Sequence, residues 1–427
     1  MSRAAARPAD PVELDIGALG HRGDGLAVHD GVRVFVPFAL PGDRARVHLA
    51  ERTRDGWRAE VLAWLRRAPR TEPPCPHFGA CGGCRAQHLL AADYAAWRRD
   101  QIAGALAARG LTPASIDGPA VAPSHSRRRA RLLFMPGPPP RLGYRARSSR
   151  RVVEPAVCPL LRPELEAMLA PLRTLLAELP LARHGCEVQL TALETGVDLL
   201  LLGRRGPTLA DREQLAAFAD ARDLVRVAWA DGERTQPESV VTRRPATLRF
   251  GRVAVELPPG AFLQATAEAE DRLQARVLAW TRGDVRVLDL FAGCGTFALP
   301  LAAAGRRVHA VERDPDMASA CANAARAGGL AGRIEVETRD LERRPLAGAE
   351  LTADTVVLDP PRAGAPAQTA AVAAGDVTRA VLVSCSPASF ARDAAILVQA
   401  GFRLAELEIV DAFLWSDQIE LVARLER

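Results

Sequence analysis

Three residues near the carboxyl terminus have the types that nucleophilic and acid–base chemistry requires. Cys385 follows a predicted strand at residues 380–384, and Asp359 follows another at residues 355–358. Because the carboxyl ends of parallel strands meet at one sheet edge, where ligands bind, both side chains are expected to face a ligand crevice. A thiolate there can add to carbon 6 of a pyrimidine and activate carbon 5, whose proton a general base must then remove. Glu420 is the candidate base, although an ordinary exposed carboxylate is an equal interpretation.

Four other cysteines form a candidate metal site. The first three are separated by five and two residues, and the fourth lies far along the chain before a proline; they are Cys75, Cys81, Cys84 and Cys158. Structural zinc sites usually contain two close cysteine pairs, whereas three clustered cysteines with a distant Cys-Pro favour an iron–sulfur cluster. The spacing alone leaves zinc open. His77 and His88 are interpreted as local polar residues rather than ligands.

A glycine-rich turn after a buried predicted strand indicates a cofactor pocket. Gly293 and Gly295 allow the backbone to approach a ligand closely, but the third glycine of a dinucleotide fingerprint is absent near Ala298. Glu312 ends the next strand, where a ribose hydroxyl is usually held. Asp340 follows the third strand and is either an acceptor for an adenine amino group or a helix N-cap. An adenosine-containing cofactor is therefore expected, and a nicotinamide cofactor is disfavoured.

The elements that position these residues divide into three predicted domains. Residues 10–68 show short β-type alternation with glycine turns, which predicts a small antiparallel β-barrel. Residues 69–260 mix strands and helices and are assigned to a central α+β domain that carries the cysteines and an arginine-rich loop. Residues 261–427 alternate strands with helices, which predicts a doubly wound, mostly parallel α/β sheet.

The composition suggests a globular chain whose surface suits a polyanion. The 427 residues are 48% hydrophobic and carry a net charge of +5. No secretion or membrane segment is recognised, so a cytoplasmic location without a membrane partner is expected. All basic residues are arginine, and nine of them lie between residues 118 and 153 without any acidic residue. This run is interpreted as a phosphate-binding surface outside the core.

Four strings resemble, in order, the motifs of the RNA uracil-5 methyltransferase family. They are residues 288–295, 359–364, 384–393 and 419–420. The resemblance runs through the whole chain. The last motif departs from the family pattern, because Phe413-Leu-Trp-Ser416 and Asp417-Gln418 replace the more usual Phe-Pro-His-Thr and a following histidine.

The resemblance implies a class I methyltransferase fold and roles for individual residues. Cys385 would be the nucleophile, Glu420 would take the carbon 5 proton, and Asp359 would lie against the base. S-adenosylmethionine would be the methyl donor, with cofactor contacts at Gln264, Phe291, Gly293, Gly295, Glu312, Asp340 and Asp359. Family members with the same cysteine arrangement carry a [4Fe–4S] cluster, which implies this cofactor here.

The resemblance also indicates the partner. The amino-terminal barrel is similar to the TRAM domain that ribosomal members of the family use to bind RNA, whereas the transfer-RNA branch typically lacks it. Ribosomal RNA, in particular 23S RNA, is therefore favoured over transfer RNA. No obligate protein partner is indicated.

Two rival enzymes and one rival class remain to be weighed. Methylases of base amino groups place an aromatic residue after the prolines of the Asp359 motif, but Arg362 stands there. RNA cytosine-5 methyltransferases place a second cysteine in the same motif, where this chain has Pro361 and Arg362. A non-catalytic iron–sulfur RNA-binding protein would need only the barrel and the arginines, and Cys385 together with Asp359 argues against it.

Overall fold

The computed structural model describes residues 10–147, 149–232 and 235–427, and within these ranges the strands form four sheets. The amino-terminal strands are β1 (Val12–Asp15), β2 (Ala18–Leu19), β3 (Gly25–His29), β4 (Val32–Val36), β5 (Arg44–Thr53) and β6 (Gly56–Arg66). Their order is β1-β5-β6-β4-β3-β2. Alternate residues such as Val34, Val36 and Val47 are fully buried, since one face of each strand packs inward. The sheet is barrel-like as predicted, although β4 and β6 pair in parallel.

The middle of the chain contains a second sheet and several helices. Its elements are α1 (Ala91–Ala107), β7 (Asp117–Val121), β8 (Arg129–Met135), β9 (Arg141–Arg145), β10 (Val152–Val153), α2 (Pro163–Glu166), α3 (Leu169–Glu178), a 3-10 helix (Pro180–Ala182), β11 (Cys186–Leu193), β12 (Gly196–Gly203), α4 (Leu209–Ala221), β13 (Arg226–Asp231) and β14 (Glu238–Thr242). Seven of these strands form a sheet in the order β10-β9-β8-β11-β12-β13-β14.

The carboxyl-terminal region alternates strands and helices. Its elements are β15 (Thr247–Phe250), β16 (Val253–Glu256), α5 (Ala267–Trp280), β17 (Arg286–Leu290), α6 (Ala298–Ala303), β18 (Arg307–Glu312), α7 (Pro315–Ala327), β19 (Ile334–Thr338), a 3-10 helix (Gly348–Leu351), β20 (Thr355–Leu358), α8 (Pro366–Ala374), β21 (Arg379–Ser384), α9 (Pro387–Gln399), β22 (Arg403–Asp411) and β23 (Glu420–Glu426). The sheet order is β19-β18-β17-β20-β21-β23-β22-β7, parallel from β19 to β21. Helices cover both faces, which explains why β20 is buried throughout. The predicted doubly wound α/β fold is confirmed.

Residues 91–121 do not pack where the predicted domain boundaries place them. The sequence analysis assigns residues 69–260 to a separate central domain, but β7 pairs with β22 at the edge of the carboxyl-terminal sheet. Helix α1 also packs there, with Ile102 and Leu106 in the same apolar core as Phe390 and Leu397. The partners are distant in sequence, and β7 contains a Gly-Pro step that hides its strand character. Residues 91–121 therefore support the carboxyl-terminal sheet.

The sheet order defines where a ligand fits. The connection after β19 crosses back to place β20 beside β17, so the order in which successive strands are added to the sheet reverses between these two parallel strands. Crevices at the carboxyl ends of strands bind ligands at such a switch point. The residues that follow β17, β18, β20 and β21 surround it. In the described ranges, the helices include none long and apolar enough to cross a membrane.

Candidate active site

Three adjacent strands bring the predicted catalytic side chains to one sheet edge. Asp359 follows β20 and Cys385 follows β21, and these strands pair in parallel. Strand β23 pairs antiparallel with β21 with Ser384 opposite Leu421, which places Glu420, the first residue of β23, next to Cys385. The three side chains interact electrostatically with one another. The structure therefore brings together the candidate nucleophile and the two carboxylates that were predicted to accompany it.

Burial makes ionisation of this site unfavourable. Glu420 is 3% exposed, and burial, followed by repulsion from Asp359, raises the pKa of its carboxyl well above the ordinary range. Burial raises the pKa of Asp359 to about 7, against the lowering effect of a hydrogen bond that the Gln264 amide donates over 3.3 Å. Burial and then the two carboxylates raise the pKa of the Cys385 thiol to about 11, and Arg362 opposes this. The raised pKa values favour the protonated forms of all three groups, and general acid–base chemistry requires groups that can hold and transfer protons.

The cofactor turn combines a strained backbone with an open face. Phe291 has φ of +65°, which non-glycine residues adopt rarely and mainly where the surroundings enforce it. A Cβ added at Gly295 would lie 2.7 Å from the Cys321 sulfur and 2.8 Å from the Leu299 side chain, so only glycine fits. By contrast, nothing lies within 4 Å of a Cβ added at Gly293. The turn is therefore tightly packed at Gly295 and open at Gly293, where a ligand can approach the backbone.

Glu312 ends β18 and Asp340 follows β19, at the same sheet edge as the glycine-rich turn. The Glu312 carboxylate accepts hydrogen bonds from the amides of Gly293 (2.9 Å) and Asp314 (2.8 Å). Each carboxylate oxygen retains a further lone pair for a ligand hydroxyl. Asp340 accepts a hydrogen bond from the Glu342 amide at 3.0 Å within a turn. The alternative role of Asp340 as a helix N-cap is wrong, because no helix follows it in the sequence up to the 3-10 helix.

Asp289, the last but one residue of β17, was not among the predicted site residues. Its side chain is fully buried, and neither carboxylate oxygen has a partner in hydrogen-bonding geometry, although the Ala298 amide faces the group. Burial and then the charge of Asp359 raise its pKa well above the ordinary range. A single acid within an apolar strand was the available signal. Buried carboxylates without hydrogen-bond partners are rare. Because Asp289 interacts with Asp359, it belongs to the set of acids around the crevice.

Two arginines from the middle of the chain bind the backbone of the segment that contains Gln264. Arg128 donates to the Gln264 carbonyl at 3.0 Å, and Arg129 donates to the Leu263 carbonyl at 2.9 Å. The Arg129 guanidinium also lies 5.2 Å from the ring of Phe262, which is 59% exposed. These contacts fix the segment that directs the Gln264 amide to Asp359.

The prediction of an arginine loop outside the core is therefore partly wrong. Much of the run forms β8 and β9, and Arg128 is buried in an ion pair with Glu270. Arg147 is paired with Asp24 of the barrel. Five of the nine arginines are exposed at the surface, namely Arg131, Arg141, Arg145, Arg150 and Arg151. A charge count cannot tell the structural arginines from the exposed ones, because their partners lie far away in sequence.

The four cysteines of the candidate metal site lie together. Burial raises the pKa of three of the thiols, that of Cys84 to about 12, and repulsion among the four adds to this effect in Cys81, Cys84 and Cys158. The Cys75 amide donates to Gln87 at 3.1 Å, and the Cys158 amide donates to Glu166 at 2.7 Å. In the described part of the chain, no three Cys, His, Asp or Glu side chains form a group that could hold a metal ion.

The two nearby histidines have other surroundings. His77 accepts a hydrogen bond from the Ala156 amide at 2.9 Å. His88 is buried against the rings of Phe38 and Phe78, and burial lowers its pKa to about 4. Cys186, Cys294 and Cys321 are buried within the apolar cores.

Known proteins resemble this chain over nearly its whole length. Residues 252–427 match the family model described as tRNA (Uracil-5-)-methyltransferase. A Caulobacter vibrioides protein, described as an uncharacterized RNA methyltransferase, is 40% identical over 97% of this chain and 100% of its own length. The Halomonas elongata 23S rRNA (uracil(1939)-C(5))-methyltransferase RlmD is 35% identical over 97% of this chain and 89% of its own length.

A solved structure shares the fold. The crystal structure of Pyrococcus abyssi tRNA (uracil-54, C5)-methyltransferase in complex with S-adenosyl-L-homocysteine superimposes with a TM-score of 0.74. The match covers 97% of this chain and 100% of that one at 22% sequence identity. Together with the relatives that are more than 30% identical, the fold and the arrangement at the sheet edge lead to one assignment. The chain belongs to the family of S-adenosylmethionine-dependent RNA uracil-5 methyltransferases.

Proposed function

We propose that this protein methylates carbon 5 of a uridine in 23S ribosomal RNA through a covalent adduct on Cys385. The observation that carries the mechanism is the meeting of Cys385, Glu420 and Asp359 beside the cofactor turn. A thiol and two carboxylates on adjacent strands provide a nucleophile and a base within one crevice. The target base must leave its stack to enter this crevice, as other enzymes that modify bases require.

The first half of the reaction is nucleophilic addition. The Cys385 thiolate forms a bond to carbon 6 of the uracil, and the electron pair of the 5,6 double bond makes carbon 5 nucleophilic. S-adenosylmethionine, when bound, supplies the methyl group and a positively charged sulfonium. The positive charges of the sulfonium and of Arg362 would both favour the ionised form of the Cys385 thiol and oppose the rise in its pKa.

The second half removes a proton and releases the enzyme. Glu420, as the carboxylate, takes the proton from carbon 5 of the methylated adduct. The electron pair re-forms the 5,6 double bond, and the bond between Cys385 and carbon 6 breaks. Its burial makes Glu420 a stronger base than an exposed glutamate. We assign Asp359 to contact the base, where a carboxyl with a pKa of about 7 can donate or accept a hydrogen bond.

The residues around the crevice fit S-adenosylmethionine. The open face at Gly293 suits an approach of the ligand to the backbone, and Glu312 retains lone pairs for ribose hydroxyls. Gln264 and Phe291 would contribute further contacts, and Asp340, after β19, would accept a hydrogen bond from the adenine amino group. Burial raises the pKa of Asp289, and a ligand with a sulfonium and an ammonium group nearby would favour the ionised form of this carboxyl.

The choice of 23S RNA follows the relatives rather than the barrel. The RlmD protein of Halomonas elongata, at 35% identity, supports 23S RNA as the substrate. The barrel does not discriminate, because a tRNA enzyme of known structure matches 97% of this chain, barrel region included. This weakens the sequence-based argument that the transfer-RNA branch lacks it. A 23S substrate places the reaction in the cytoplasm, and transfer RNA is the alternative substrate.

Methylation of unmodified RNA tests this proposal. Purified protein, S-adenosylmethionine labelled in the methyl group, and either 23S or transfer-RNA transcripts are incubated separately, and the nucleosides are analysed by mass spectrometry. We expect labelled 5-methyluridine from 23S RNA and at least about tenfold less from transfer RNA. Labelled 5-methyluridine from transfer RNA alone would select the alternative substrate. Labelled 5-methylcytidine, or no label, would contradict the proposed function.

We also propose that Cys75, Cys81, Cys84 and Cys158 hold a [4Fe–4S] cluster. Three observations support it: the cysteine spacing, the mutual proximity of the four thiols, and the half-buried Tyr144 beside three of them. A cubane binds each thiolate on a different iron, so it spans a wider set of ligands than a single ion. Methyl transfer moves no net electrons, and we therefore assign the cluster a structural role.

Iron content tests the cluster. Protein prepared without oxygen should contain about four irons per chain and show the broad visible absorbance of iron–sulfur proteins. The Cys84→Ser variant should lose most of both, while Cys186→Ser, at a buried cysteine of β11, should keep them. One zinc per chain in place of iron would favour the zinc interpretation and contradict the cluster.

A further inference from the structure

A buried polar cluster lies against the segment that leads to Glu420 and takes no part in the proposed chemistry. It consists of Tyr94 and Arg98 on α1 and Asp411 at the end of β22, and we call it the Tyr94 cluster. Arg98 donates to both Asp411 oxygens, at 2.9 and 3.1 Å, and the Tyr94 hydroxyl donates to the same carboxylate. Arg98 and Asp411 are completely buried. Buried ion pairs contribute little net stability, so positioning is the better explanation of this one.

The Tyr94 cluster binds the backbone of residues 412–419, the connection that ends at Glu420. The Trp415 amide donates to the Tyr94 hydroxyl at 2.9 Å, and Arg98 donates to the Phe413 carbonyl at 3.1 Å. Trp415 has φ of +60°, a conformation that is costly for a bulky residue and that surrounding contacts must enforce. The cluster supplies such contacts.

The cysteine loop binds the same segment from the other side. The amides of Arg85 and Ala86, directly after Cys84, donate to the Trp415 carbonyl at 2.6 and 3.1 Å. The Arg127 guanidinium, whose charge acts on Cys84, lies 5.5 Å from the ring of Phe413. Both peptide groups of Trp415 are therefore held, one by α1 and the other by the cysteine loop.

We infer that Tyr94, Arg98 and Asp411 are positioning residues for Glu420, and that the loop after Cys84 braces the same segment. This inference rests on the proposed role of Glu420 as the base. The connection contains only eight residues, and a displacement at Trp415 is passed directly to the start of β23. Misplacing a catalytic group by about 1 Å can cost about 100-fold in rate. The cysteine loop would thereby support the proton-removal step without touching the substrate.

The Tyr94→Phe variant tests the inference, because it removes one hydroxyl and keeps the ring. Turnover with 23S RNA should fall by about 10-fold to 100-fold at an unchanged KM for RNA. The covalent RNA adduct should accumulate during turnover, since addition to carbon 6 continues while proton removal slows. A matched control is Asp198→Asn, which breaks the buried pair of Asp198 with Arg226 in the central sheet. This control should not accumulate adduct.

Hydrogen exchange gives a second readout that needs no substrate. Amides of residues 412–419 should lose protection in Tyr94→Phe and in Cys84→Ser, and should keep it in Asp198→Asn. Unchanged protection in both test variants, or slowed turnover of Tyr94→Phe without adduct accumulation, would overturn the inference. If the unaltered protein methylates no RNA, the proposed function fails, and the exchange measurement still decides whether the segment is braced.

Discussion

Replacing Cys385 with alanine is expected to abolish methyl transfer, with a loss on the order of 10⁴-fold or more in turnover. The reason is chemical, since carbon 5 of uracil is a poor nucleophile until a group adds to carbon 6. Affinity for S-adenosylmethionine should remain within about twofold, because the cofactor turn and Glu312 are untouched. Turnover is measured by methyl incorporation into RNA, and cofactor affinity by calorimetric titration.

The control for this variant is Cys186→Ala. Cys186 is buried in β11 of the central sheet, whereas Cys385 is half-buried. The control variant should retain turnover within about twofold, which separates loss of the nucleophile from loss of a packed thiol. Measurable turnover of Cys385→Ala above about one hundredth of the normal rate would show that the thiol is dispensable and would end the covalent mechanism.

Replacing Glu420 with glutamine is expected to stop the reaction after methyl transfer. The amide has nearly the same shape but cannot accept the carbon 5 proton, so release should slow by about 10²-fold to 10⁴-fold. Cys385 still adds to carbon 6, and the enzyme should accumulate as a protein–RNA conjugate. The conjugate is detected as a band of reduced mobility on a denaturing gel.

The double variant with Cys385→Ala and Glu420→Gln provides the matched control. It should form no conjugate, because the nucleophile is missing. A conjugate in the double variant would mean that another residue attacks the RNA. Absence of the conjugate in the single variant, with turnover retained, would remove Glu420 from its proposed role as the base.

The sequence was sufficient to predict which residues meet at the sheet edge. Asp359 and Cys385 each follow an apolar run directly, and the carboxyl ends of parallel strands must lie at the same edge. Glu420 was harder, since a carboxylate at the start of a last strand is usually exposed. Only the antiparallel insertion of β23 beside β21 shows that it is buried next to Cys385.

The supporting contacts were beyond sequence reasoning because they join distant parts of the chain. Arg98 and Asp411 are 313 positions apart, and Arg128 and Glu270 are 142 positions apart. No local pattern marks such pairs, and a count of arginines instead suggested one phosphate-binding surface. For the same reason α1 and β7 were assigned to the central domain, although they pack on the carboxyl-terminal sheet, whose strands are distant in sequence.

Peptide mass spectrometry of the Glu420→Gln conjugate tests the central claim most directly. The conjugate is digested with nuclease and protease, and the modified peptide is sequenced. The covalent mechanism predicts a methylated uridine attached to the peptide that contains Cys385, with the label of the methyl donor retained. An adduct on any other residue, or a uridine without the methyl group under saturating S-adenosylmethionine, would contradict it.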